Sequence, residues 1–265
     1  MKTLIYYFTG TGNSLDVARK IGDSLGETEY VSIASLKKTS GTVAPGAGRV
    51  GIVCPVYFSG LPVMAESFAK RLDLKNVRYL FSVVTFGGAG GSSALRQLDG
   101  ILKRQSGRGL DAGFMVKMPG NYVLMYESPE GEKRDTILLS ADESVNAIAQ
   151  VIRENKHRKL PYSPFAQLIH ALMYNRFASG VHDEDRKFSV SDECTSCGTC
   201  AAVCPADNIE LIEGKPVWKH RCELCCGCIH LCPVQAIQAG QKTKGRARYR
   251  NPAVSIRDLE LDKGE

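Results

Sequence analysis

Thr3-Leu4-Ile5-Tyr6-Tyr7-Phe8-Thr9-Gly10-Thr11-Gly12-Asn13-Ser14 runs a short apolar strand into a turn of glycines and small hydroxyls. A helical pattern follows at once over Asn13–Leu25, with Leu15, Ala18, Ile21, Gly22 and Leu25 on one side. Such a strand–loop–helix turns backbone amides, hydroxyls and a positive helix end toward one point, which suits an anion. The alternation continues. Strands are expected at Tyr30–Ile33, Val50–Val56, Tyr79–Phe86 and Ala112–Met118. Helices are expected around Val63–Leu72, over Ser92–Gln105, and over Ser140–Asn155 with Ser140 as N-cap. The strands read as continuous apolar runs, so both faces of their sheet are covered and the sheet is parallel. Residues 1–155 therefore read as a five-stranded, doubly wound α/β domain.

Three anions compete for the first loop. A nucleoside triphosphate site needs G-x-x-x-x-G-K-[ST], and no lysine follows this loop. A dinucleotide site needs G-x-G-x-x-G, but Leu15 stands where the third glycine belongs, and Lys37 and Lys38 lie where a ribose-binding acid is expected. The third pattern, T/S-x-T-G-x-T/S, is met by Thr9, Thr11, Gly12 and Ser14. An ordinary glycine turn is the bland alternative. On these residues the segment 1–152 resembles the flavodoxins, and the resemblance implies FMN, with Thr9, Gly10, Thr11, Gly12, Asn13 and Ser14 around its phosphate. It further implies two isoalloxazine loops, Pro55-Val56-Tyr57-Phe58-Ser59-Gly60 and Thr85-Phe86-Gly87-Gly88-Ala89-Gly90-Gly91, at the strand ends where doubly wound sheets bind ligands. Pro119-Gly120-Asn121-Tyr122 forms a third wall. The loop after the fourth strand carries no stacking Tyr or Trp, so Tyr57 and Tyr122 become the expected ring partners. In the same comparison the Gly60 peptide turns its carbonyl to accept the N5–H of the half-reduced flavin.

Ten cysteines divide unevenly: Cys54 lies alone in the first 193 residues, and nine fall between Cys194 and Cys232. A disulfide framework belongs to small secreted domains, and the short run Leu4–Phe8 is not a secretory signal, so clustered thiols are expected to hold metal. Cys194, Cys197, Cys200 and Cys204-Pro205 have the spacing C-x₂-C-x₂-C-x₃-C-P, and Cys222, Cys225, Cys228 and Cys232-Pro233 repeat it. Three thiolates on one tight loop cap three irons of a cubane, and the fourth reaches the other cluster. One cluster is thus expected on Cys194, Cys197, Cys200 and Cys232, the other on Cys222, Cys225, Cys228 and Cys204. Paired zinc sites are the competing reading. Residues 189–237, with a hairpin at Ile209–Val217, resemble the bacterial two-cluster ferredoxins, and Gly198 and Gly227 let backbone amides approach sulfur. Cys226 interrupts the rhythm and reads as a packed thiol; Cys54 reads as core.

Charge varies along the chain. The net formal charge is +6, yet residues 190–240 carry three basic and six acidic side chains. Residues 156–187 read as a linker with an amphipathic helix, N-capped by Ser163, started by Pro164 and stopped by Gly180. Its apolar face is expected at Phe165, Leu168, Ile169 and Leu172, packed between domains, with a homodimer or membrane-surface contact as alternatives. Residues 241–265 form a basic tail, mobile or docked on the chain itself; only Tyr249 could stack on a base, so nucleic acid is not expected. No apolar run approaches the ~18–20 residues of a membrane span.

The whole chain resembles the flavodoxin–ferredoxin fusion proteins of anaerobes. That resemblance implies a cytoplasmic electron-transfer flavoprotein passing electrons between FMN, two 4Fe-4S clusters and an external redox protein. Two other classes compete. One is an FMN-dependent reductase of a small molecule, fed by the ferredoxin domain, with Tyr57, Asn121 or Tyr122 as proton donor. The other is a non-redox regulator with structural clusters.

Overall fold

The computed structural model describes residues 1–260. Its first half is a parallel sheet of β1 (Thr3–Tyr7), β2 (Thr28–Ser32), β3 (Arg49–Pro55), β4 (Tyr79–Phe86) and β5 (Ala112–Lys117), in spatial order β2-β1-β3-β4-β5. That is the flavodoxin-like order, with its switch point between β1 and β3. Alternate residues feed two cores. Leu4, Tyr6, Phe8, Val50, Ile52, Leu80 and Val84 pack under α2 (Val63–Ala69) and α3 (Gly91–Ser106). Ile5, Val53, Phe81, Val83 and Phe114 pack under α1 (Asn13–Leu25) and α4 (Gly131–Arg153). Covering both faces requires the continuous apolar runs seen in the sequence.

Two elements differ from expectation. Helix α4 starts at Gly131, nine residues before Ser140, so Ser140 lies in its interior, where its carbonyl accepts the Ser144 hydroxyl (2.9 Å). Its first turns are mostly exposed, so they carry no apolar stripe to mark them. Helix α5 (Pro164–Gly180) does begin on the Ser163 cap, whose hydroxyl accepts from the Ala166 amide, but the opposite side docks. Ala166, Tyr174 and Phe177 are buried, whereas Phe165, Leu168 and Leu172 stay exposed. The reason is hydrogen bonding as much as area. The Tyr174 hydroxyl is shared between the Leu61 carbonyl (2.9 Å) and Glu66 (2.7 Å), and His170 Nδ1 donates to the Ser59 carbonyl (3.0 Å).

The cysteine-rich segment folds as β6 (Phe188–Val190), α6 (Thr199–Ala202), a hairpin of β7 (Ile209–Ile212) and β8 (Lys215–Trp218), α7 (Gly227–His230) and β9 (Ile237–Ala239), with β6 antiparallel to β9. Its apolar centre is shared. Val123 from the first domain packs with Cys200, Ile209, Cys226, Ile229 and Ile237. Leu15 of α1 packs with Val203, Leu231, Val254 and Leu259. The described part of the tail is docked. The Asn251 amide donates to the Thr11 carbonyl (2.9 Å), Val254 is fully buried, and Arg19 pairs with Asp258 at 2.6 Å. Residues 261–265 of the expected basic tail lie outside the described residues.

Candidate redox site at the domain interface

The loop between β1 and α1 is held by three other segments. Ser14 Oγ lies 2.8 Å from Thr85 Oγ1 at the end of β4. Asn121 Nδ2 donates to Thr11 Oγ1 (2.6 Å), and Asn13 Nδ2 to the Pro119 carbonyl (3.1 Å). From the tail, the Tyr249 hydroxyl donates to Asn13 Oδ1 (2.6 Å). Buried His230 completes the tie: its Nδ1 accepts from the Tyr249 amide (3.1 Å), so its Nε2 donates to the Asn121 carbonyl (2.7 Å). Burial keeps this imidazole neutral, with its pKa lowered to about 4.

Above the loop is a cavity of about 270 Å³. Thr9, Gly10, Thr11, Asn13, Ser14, Pro55, Val56, Tyr57, Phe58, Ser59, Thr85, Phe86, Gly87, Gly88, Asn121 and Tyr122 all line it. Gly12, Gly60, Gly90, Gly91 and Gly120 of the expected loops do not. Gly12 adopts φ +102° ahead of α1 and lies against Val254 and Asn251 of the tail. Gly90 adopts φ +95° ahead of α3 and lies against Ser59. Gly60 faces the Tyr174 ring, and its carbonyl already accepts the Tyr57 amide (2.9 Å). Turning the Gly60 carbonyl toward a ring in the cavity would break this bond to the Tyr57 amide. These glycines shape the walls from behind.

The wall is hydroxyl- and amide-rich at the α1 end and apolar at the other, and no Asp, Glu, Lys, Arg or His lines it among the described residues. That donor set fits a molecule with one phosphate and a flat apolar ring. Phe58 and Ser59 take positive φ (47° and 63°) in a turn closed by reciprocal Tyr57–Gly60 bonds. This presents Phe58 stacked on Phe177 (4.6 Å, 16°) and edge-on to Tyr122 (5.5 Å, 75°). Tyr122 and Tyr57 both line the cavity, and Tyr57 packs edge-on to Phe8 and Phe177. Both phenols are neutral: burial pushes Tyr122 up to about 12 and Tyr57 well above its ordinary value.

Sequence reasoning missed part of the wall: Met118, Met125, Tyr126, Met173, Phe177, Leu224, Cys225 and Cys226. The last three belong to the second cysteine ladder. Close backbone approach makes this possible. A Cβ on Gly10 would lie 2.6 Å from the Cys225 carbonyl oxygen, and one on Gly227 would lie 3.0 Å from the Gly10 oxygen. Glu223 adds a tie, accepting the Met64 amide (3.1 Å) at the start of α2, its carboxyl pushed up to about 7 by burial.

The ladder cysteines gather in two smaller cavities. Cys194, Cys197, Cys200 and Cys232 line one; Cys204, Cys222, Cys225 and Cys228 line the other, beside Cys226. Each set takes its fourth member from the opposite ladder. Backbone amides already approach sulfur: Asn208 to Cys204 and Ala236 to Cys232 (3.3 Å each), and Leu224 to Cys222 (3.2 Å). Buried donors also lack acceptors here, namely Trp218 Nε1 and the Nε and Nη1 of Arg248, whose charge acts on Cys232 and Cys226. Thiolate sets, amide donors and unmatched buried N–H groups suit anionic iron–sulfur clusters. No three His, Cys, Asp or Glu side chains converge on a single ion position among the described residues. Cys226 (3 % exposed) is packed, its thiol directed at the Leu224 carbonyl, and Cys54 is core, its thiol pushed up to about 12 by burial.

Residues 190–210 match the family described as 4Fe-4S binding domain. A ferredoxin of Pyrobaculum islandicum is 38% identical over 60 residues, covering 22% of this chain and 55% of its own, so the chain spans about half the length of that curated relative. Among solved structures, a flavodoxin of Fusobacterium nucleatum bound to flavin mononucleotide is similar at 12% identity, over 57% of this chain and 98% of its own, with a TM-score of 0.34. A putative flavoprotein of Bacteroides uniformis is similar at 17% identity over 51% and 94%, with a TM-score of 0.35. No helix among the described residues is long and apolar enough to cross a membrane. The chain thus joins a doubly wound parallel sheet in the 2-1-3-4-5 order to a cysteine-rich segment whose residues 190–210 match the 4Fe-4S binding domain.

Proposed function

We propose that the protein is a cytoplasmic electron carrier that holds FMN in the interface cavity and two 4Fe-4S clusters on the crossed cysteine sets, and exchanges electrons with an external redox protein. The observation that carries this reading is Cys225, which lines both the interface cavity and one cysteine cavity. When bound, FMN supplies exchange of one or two electrons and each cluster of one, so the pair converts between the two regimes. The chain's own residues do the placing. The 9–14 loop and the start of α1 receive the phosphate; Phe58, Tyr122 and Phe177 enclose the ring; the Leu224-Cys225-Cys226 segment excludes water between the two centres. The absence of a G-x-G-x-x-G fingerprint favours a protein over a bound nicotinamide as electron source.

Anaerobic purification with flavin, iron and sulfide analysis, followed by reductive titration, tests the proposal. One FMN and about eight irons per chain, all bleaching with dithionite, are expected. FMN near zero removes the first half, and iron near two or fewer, with bound zinc, removes the second.

A further inference from the structure

Trp218 ends strand β8, where it pairs with Ile209 across the hairpin and packs edge-on against Phe188 (5.9 Å, 82°). It lines the cavity shared by Cys204, Cys222, Cys225 and Cys228, and its indole N–H is buried without an acceptor. A buried donor left unmatched costs about 1–3 kcal/mol, so such groups call for a partner. The corresponding wall of the other cysteine cavity is supplied by Leu211 and Pro216 of the same hairpin, neither of which has a side-chain N–H. The two cavities therefore differ in donor chemistry, and the one with the indole is also the one that shares Cys225 with the interface cavity.

We propose that Trp218 donates its indole N–H to a sulfur of the cluster on the flavin side and raises that cluster's reduction potential. The inference rests on the two-cluster reading above. A reduced cluster carries one more negative charge than an oxidised one, so a donor aimed at its sulfur is held more tightly after reduction, and the equilibrium shifts toward the reduced form. Trp218 is a tuning residue: it stabilises the electron on the centre nearest the interface cavity.

The chain contains one tryptophan, so labelling is unambiguous. In the holoprotein, Trp218→Phe keeps an aromatic ring beside Phe188 while removing the N–H together with part of the indole bicycle. Iron and FMN content should be unchanged. One cluster's one-electron equilibrium should shift about tenfold toward the oxidised form, ~59 mV, while the other stays in place. Independently, indole-¹⁵N tryptophan in the unsubstituted protein should produce a ¹⁵N hyperfine coupling on one reduced-cluster signal, which does not depend on how the variant folds. Full iron loading with neither a coupling nor a selective shift overturns the role of Trp218 and leaves the two-cluster reading standing. Absence of clusters overturns both.

Discussion

Replacing Gly10 by alanine tests whether the phosphate loop and the cysteine loop form one unit. The added Cβ would lie 2.6 Å from the Cys225 carbonyl oxygen and 2.9 Å from the Cys225 Cβ. Ordinary contact begins near 3.4 Å, so the two loops must separate by about 0.8 Å. Neither partner is a flexible side-chain tip. Cys225 lies between Cys222 and Cys228 in a segment also pinned by the Glu223–Met64 bond. Overpacking of this kind costs about 1–3 kcal/mol. For a chain of this size that corresponds to a fall of roughly 2–4 °C in Tm per kcal/mol. FMN affinity should fall with it, tenfold for each ~1.4 kcal/mol the cavity wall loses. The assay is scanning calorimetry of the holoprotein together with FMN titration by fluorescence. Gly88→Ala is the matched control, because a Cβ there meets nothing within 4 Å although Gly88 lines the same cavity. If Gly10→Ala and Gly88→Ala give the same Tm and the same FMN affinity, the direct packing of the two loops is wrong.

The crossed ligand sets predict how paired substitutions combine. Cys194→Ser with Cys232→Ser should leave about four irons, because both belong to one set, whereas Cys222→Ser with Cys232→Ser should strip both clusters. Equal iron loss in the two double variants would refute the crossing. Cys226→Ala should retain the iron that Cys225→Ala loses, since Cys226 is a packed thiol; iron analysis of the two decides it. Tyr122→Ala should weaken FMN by about 0.5–1.5 kcal/mol beyond the lost contact area, and an unchanged Kd would remove Tyr122 from the ring wall. The tail should loosen in acid. Arg19 and Ser255 hold the Asp258 carboxyl below its ordinary value, so its contribution is present above the unfolded pKa of about 3.9 and is lost as pH falls through the lower folded value. Protection against hydrogen exchange in residues 249–259, taken relative to the intrinsic rate at each pH, should therefore fall at low pH, and Asp258→Asn should lower it at neutral pH. Equal protection at both pH values would refute the tie.

The strand assignments were readable because burial on both faces writes itself into Val50–Val53 and Tyr79–Val84 as apolar runs broken only by the small residues Gly51 and Ser82, whatever packs above. Helix α4 was readable only from Ser140 onward, since its first turns are mostly exposed and only Leu138 among them packs against the core, too little to impose a period. Helix α5 shows the converse failure. Both of its sides carry apolar residues, and the choice of Tyr174 and Phe177 over Phe165 and Leu172 depends on Glu66 and the Leu61 carbonyl, about a hundred positions away.

The cysteine spacing already contained the two thiol sets, because ligand geometry around a cubane is local to a tight loop and the one helical turn after it. The strand–loop–helix around Thr9–Ser14 was likewise legible, since an apolar run, small turn residues and a helical period are properties of a few consecutive residues. What no local pattern could hold is the meeting of the two. The contact between Gly10 and Cys225, the strap from Tyr249 to Asn13, and the entry of Phe177 into the interface cavity join residues more than one hundred positions apart. Such contacts arise only when separate surfaces are brought together, so the folded chain alone determines that the neighbouring Cys225 and Cys226 line both the interface cavity and a cysteine cavity.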